Sequence, residues 1–193
     1  MLGRGTAAVL LVLLALLAAG CSARLVPPQQ PPPEPRQVVL LEHGRHASLV
    51  LFDAEQVPWR FAYGDRRWYL ENIRGPGPAA SALFSDSPAV LGRRALDSPD
   101  PAHWQAQVGS LITATVPFQV DAGRVDALLD TLHGVFASAG DVVPAPHLGL
   151  EVTAHPQPYR LGHNSNHVVA QWLQALDVQV QGNPAIGRWR TQH

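Results

Sequence analysis

The sequence predicts an α+β domain in which a small antiparallel sheet packs against helices, and three observations carry that prediction. Two short apolar runs, Val38 to Leu41 and Ala47 to Phe52, flank the polar stretch His43-Gly44-Arg45-His46, the pattern of a strand, a turn and a second strand. Val125, Leu128, Leu129, Leu132, Val135 and Phe136 recur at helical spacing between Asp121, which can cap a helix, and Gly140, which stops one near Ala139. Strand-like and helix-like stretches then follow one another without a regular βαβ rhythm, which argues against a doubly wound parallel sheet.

The remaining elements follow from local pattern. Trp59 to Tyr63 alternates aromatic and polar residues and should pair beside the hairpin. Gly75-Pro76-Gly77-Pro78 interrupts the chain before a short helix expected over Ala79 to Phe84, and Ser98 to Pro101 reads as a loop. Leu111 to Val120 alternates with β-branched residues and reads as a strand despite Pro117. A last helix, starting near Asn164, presents Val168, Val169, Trp172, Leu173 and Leu176 on one face. No internal repeat is visible.

Three zones divide the 193 residues. Residues 1–20 start with Arg4, continue through the apolar run Ala7 to Leu17 and end on Ala18, Ala19 and Gly20, the layout of a signal peptide too short to span a bilayer. Small residues directly before Cys21 resemble the lipobox of bacterial lipoproteins, which implies that the Cys21 thiol is lipidated and that acyl chains tether the protein to a membrane. Residues 21–36, rich in proline from Pro27 to Pro35, are expected to be an extended tether, because proline supports neither a helix interior nor a sheet ladder. Residues 37–193 form the expected globular domain. Ser22 is not the aspartate that retains many enterobacterial lipoproteins in the inner membrane, so the expected address is the periplasmic face of the outer membrane.

Charge and cysteine content narrow the function classes. A formal net charge of -1 supplies no general attraction to nucleic acid. All fourteen basic residues are arginine. With Cys21 the sole cysteine, the domain has neither a disulfide nor a cysteine-rich metal framework. No cofactor is implied.

Two segments could carry chemistry. His46 stands at the mouth of an apolar strand, and Ser165 falls in the first turn of the last helix. If the fold joins them, His46 can take the proton from Ser165 while free backbone N–H groups at the helix start hold an oxyanion. A lone hydroxyl at a helix start is more often a cap than a nucleophile, which gives Ser165 and Asn164 a purely structural alternative. The histidine pairs His43 with His46 and His163 with His167 offer another function class, metal binding, although their spacing is loose.

The segments His46-Ala47-Ser48-Leu49-Val50-Leu51, Tyr63-Gly64-Asp65-Arg66-Arg67-Trp68-Tyr69-Leu70 and Asn164-Ser165-Asn166-His167 together resemble bacterial domain-of-unknown-function proteins related to the circularly permuted papain-like, NlpC-type superfamily. The resemblance covers residues 38–182. It implies a permuted papain-like arrangement with His46 as catalytic histidine, Tyr63 or Asp65 near the third catalytic position, and Ser165 in the place of the nucleophilic cysteine. A helix N-terminus readily favours a thiolate, whereas a serine depends wholly on a general base. The expected function is therefore a degenerate binding or structural module of the cell envelope. A serine-based hydrolase or acyltransferase acting on cell-wall peptide or acyl groups is the alternative.

Overall fold

A computed structural model describes residues 22–73 and 86–191. The signal peptide, Cys21 and the helix expected over Ala79 to Phe84 lie outside the described residues.

Among the described residues ten strands and three α-helices alternate irregularly, and the mixture is the α+β class expected. The strands are β1 (Ala23–Val26), β2 (Pro35–Glu42), β3 (Ala47–Phe52), β4 (Pro58–Asp65), β5 (Ser87–Ala95), β6 (Ala114–Asp121), β7 (Val142–Ala145), β8 (Leu150–Tyr159), β9 (Gln179–Gly182) and β10 (Trp189–Thr191). The helices are α1 (Arg66–Leu70), α2 (Ala122–Ala137) and α3 (Ser165–Ala175). The sheet is larger than expected: seven antiparallel strands run in the order β6-β2-β3-β4-β5-β8-β7. Pro117 is accommodated because β6 is an edge strand, where a missing N–H breaks no inner ladder.

Helix α2 begins where the Asp121 carboxylate accepts the Arg124 N–H, and it buries Val125, Leu128, Leu129, Leu132 and Phe136. Those side chains and the inner face of α3 meet Val38, Leu40, Leu49, Leu51, Phe61 and Tyr63 from alternate positions of β2, β3 and β4, forming the largest core. The opposite face of the sheet is also covered. Val39, Leu41, Val50 and Phe52 pack there against Trp104 and Val108 of the β5–β6 connection.

The expected tether divides in two. Ala23–Val26 enters the fold as the central strand of a second sheet, antiparallel to β9 and parallel to β10. Ala23 and Leu25 are wholly buried in the main core. The domain therefore starts well before residue 37, and the proline-rich residues form the connection between β1 and β2. The alternation Ala23, Leu25 against Arg24, Val26 is a strand signal that the neighbouring prolines obscure.

Candidate functional site

The site lies at the end of the main sheet where β3 starts and β4 finishes. Between β2 and β3 the chain reverses through a tight turn closed by the His43 N–H to the His46 carbonyl, with Gly44 at φ 77°. That conformation favours glycine, and it places His46 at the entrance to β3.

Across from it, Asn164 caps α3: its Oδ1 accepts the N–H groups of Asn166 and His167 at 3.0 and 3.2 Å. Ser165 is thus the first helical residue rather than the cap. Its Oγ lies 3.0 Å from Nδ1 of His46, within hydrogen-bonding reach. Burial, reinforced by the Arg45 charge, holds the His46 pKa below the ordinary histidine value, so the ring is neutral at neutral pH and able to accept a proton.

The surroundings of this pair differ from those the sequence suggests. Ser165 is 1 % exposed. The phenol oxygen of Tyr159 interacts with both the hydroxyl and the N–H of Ser165; burial raises the Tyr159 pKa, and these two contacts offset part of that rise. Three of the N–H groups expected to be free at the start of α3 are engaged: Asn166 and His167 bond the Asn164 side chain, and Val168 bonds the Asn164 carbonyl.

The two other candidate residues are held in different roles. Asp65 caps α1, accepting the N–H groups of Arg67 and Trp68 at 2.9 and 3.2 Å, and its second oxygen accepts the hydroxyl of Ser87. Tyr63 is fully buried, donates to the Gln157 carbonyl at 3.1 Å and stacks on Tyr159 with ring centroids 5.9 Å apart. Asp65 shapes the cavity wall, while Tyr63 supports Tyr159 from within the core.

The segment Gly64 to Tyr69 builds that wall for a steric reason. A Cβ on Gly64 would lie 2.0 Å from the Tyr69 ring, so only glycine lets Tyr69 fold back onto β4. The short helix then sets the Trp68 ring 5.7 Å from the His46 ring. Trp68 and Tyr69, with Tyr159, Leu161, Ile186 and His46, line a cavity of about 210 Å³. Its rim carries Ile73, Leu161 and Ile186, exposed by 40 %, 48 % and 37 %.

His43, His46 and His167 face separate partners. His43 Nε2 lies 2.8 Å from Ser48 Oγ, His46 faces Ser165, and His167 Nδ1 donates to Asn164 Oδ1 at 3.0 Å. Among the described residues there is no group of three or more His, Cys, Asp or Glu side chains placed to hold a metal ion.

Sequence reading missed Tyr159, Asn166 and Arg60. Tyr159 ends a strand interrupted by Pro156 and Pro158, whose pattern hides it. Arg60 had a signal, a cation in the middle of β4, but alternation alone reads such a position as solvent-facing.

In comparisons with known proteins, no protein-family model, no curated protein and no solved structure matches this chain.

Proposed function

We propose that this protein is an envelope lipoprotein, lipidated on Cys21, whose domain has a permuted papain-like arrangement and binds a ligand without turning it over. The order along the chain, a histidine at the mouth of an early strand and a hydroxyl at the start of a late helix, supports the arrangement. The observation that carries the binding reading is the engagement of the first-turn N–H groups of α3 around a serine that is 1 % exposed. Acyl transfer needs a reachable Oγ and donors aimed at a developing oxyanion. Here Asn164 takes the N–H groups of Asn166, His167 and Val168.

The ligand class follows from the cavity. Three large apolar side chains at its rim are exposed in a way that ordinary solvated surface avoids, and they suit an acyl chain or an apolar part of a cell-wall peptide. Ser22 after the cysteine favours the outer membrane, with the domain facing the periplasm. Among the described residues no helix is long and apolar enough to cross a membrane.

A second reading, a serine hydrolase or acyltransferase, is favoured by the 3.0 Å contact between Ser165 and a neutral His46. Fluorophosphonate labelling separates the two. Folded wild-type protein is expected to remain unlabelled, whereas labelling that disappears in Ser165→Ala and in His46→Ala would establish an activated serine and overturn the binding reading.

A further inference from the structure

Behind the wall made by His46, Trp68 and Tyr69, a second cavity of about 310 Å³ is lined also by His43, Ser48 and Arg60. It lies toward the sheet face opposite α2 and α3, and Leu111, 69 % exposed, stands at its edge. Arg60 is 3 % exposed. Its Nε donates to Ser48 Oγ at 3.2 Å and one terminal nitrogen donates to the Leu148 carbonyl at 3.0 Å. Both acceptors are neutral, and these bonds use two of the five N–H groups of a guanidinium.

Burial lowers the Arg60 pKa to about 10, which still leaves the group positively charged at neutral pH. Among the described residues no Asp or Glu forms an ion pair with it. The residues outside the described set, 1–21, 74–85 and 192–193, contain no Asp or Glu at all. A buried cation without a counter-charge is strongly disfavoured unless an anion joins it, since removing a charge from water costs several kcal/mol.

We infer that this second cavity is a binding site for a carboxylate, with the Arg60 guanidinium as its anchor. The charge of the lining selects a monoanion. His43 is neutral, because its Nδ1 must donate to the Leu111 carbonyl at 3.1 Å while its Nε2 accepts the Ser48 hydroxyl. Tyr69 is deeply buried and keeps its proton, its pKa raised by desolvation. One formal cation therefore lines the site, which matches a carboxylate and underserves a phosphate of nearly two negative charges. The planar fork of arginine accepts a carboxylate through paired N–H donors. The site does not depend on any chemistry at Ser165.

Two sources share this chemistry, the head of a free acyl chain and the C-terminal carboxylate of a peptide. Calorimetric titration of the full chain with butyrate against butyramide, and with Ala-Ala against Ala-Ala amide, tests the site. Each carboxylate that binds is expected to do so at least tenfold more tightly than its amide, and the preferred pair identifies the source. Arg60→Met, which replaces a buried cation by an apolar chain of similar length, should keep or raise the unfolding temperature and abolish that preference. Equal affinity for acid and amide, no carboxylate binding at millimolar concentration, or carboxylate binding undiminished in folded Arg60→Met would overturn the proposal. If Arg60→Met fails to fold, the acid-against-amide comparison on wild-type protein still decides it.

Discussion

Asn166 Nδ2 donates to the Arg45 backbone carbonyl at 2.8 Å, tying the first turn of α3 directly to the turn that delivers His46. The same amide reaches the Ala185 carbonyl at 3.2 Å, as does Asn164 Nδ2 at 2.9 Å. Two asparagines flanking Ser165 thus fasten three segments that are far apart in sequence, and the separation of His46 from Ser165 depends on them.

Replacing Asn166 by alanine should destabilise the protein by about 1–3 kcal/mol, the range for leaving buried carbonyl groups unsatisfied. Asn166→Asp should destabilise it more, since an added carboxylate would face two carbonyl oxygens. Urea unfolding of both variants checks the order; midpoints unchanged from wild type in both would show that the amide donor is not what matters.

Gly64→Ala forces a Cβ to within 2.0 Å of the Tyr69 ring, in a wall shared by both cavities. A loss of about 1–3 kcal/mol or more is expected from overpacking, together with changed Trp fluorescence as Trp68 moves. Adding Tyr69→Ala should recover part of that loss, so the double-variant cycle should show a coupling of about 1 kcal/mol or more.

Stability should fall on mild acidification. Burial, the nearby Arg60 charge and His46 outweigh the helping hydrogen bond to Leu111 and lower the His43 pKa to about 4, against 6.5 for an exposed histidine. Between those values the unfolded chain binds a proton that the folded chain does not, so the stabilisation is complete above pH 6.5 and is lost as pH falls toward 4. His43 alone contributes up to about 3 kcal/mol to this loss, and His46, lowered in the same direction, adds to it. Denaturant unfolding between pH 7.5 and 5 should show the decline, and His43→Gln should flatten it. An unchanged slope in that variant would assign the effect elsewhere.

The burial of Ala23 and Leu25 predicts that a chain beginning at residue 37 loses cooperative unfolding, while one beginning at Ser22 retains it. Leu25→Ala should cost about 2–5 kcal/mol by opening the core beneath β1. Differential scanning calorimetry of the two truncations and the variant provides the comparison. Under the proposed lipidation of Cys21, only Ser22 would stand between the lipid and the buried strand, which would hold the domain close to the bilayer and not at the end of a proline spacer.

Several features were legible in the sequence because they depend on neighbours within one or two turns of chain. The α2 helix follows from the spacing of Val125 to Phe136 and its Asp121 cap, the β2–β3 hairpin from two apolar runs around Gly44, and the entry to α3 from Asn164. Periodicity and capping are local, and the chain expresses them wherever it folds.

Long-range pairing had to be seen in three dimensions. Strand β8 carries Pro156 and Pro158, which resist assignment to a ladder; they fit because the pairing with β5 shifts register between Ala89 opposite His155 and Ser87 opposite Tyr159. That shift also helps set Tyr159 beside Ser165. Strand β1 is stabilised by partners more than 150 residues later, so the prolines after it dominate any local reading. By itself the sequence determined the α+β class, the principal helices and the candidacy of His46 and Ser165. Only the tertiary structure decided that these two meet, that the helix N–H groups between them are already engaged, and that Arg60 is sealed inside, because coverage of both sheet faces turned an outward-reading position into an interior one.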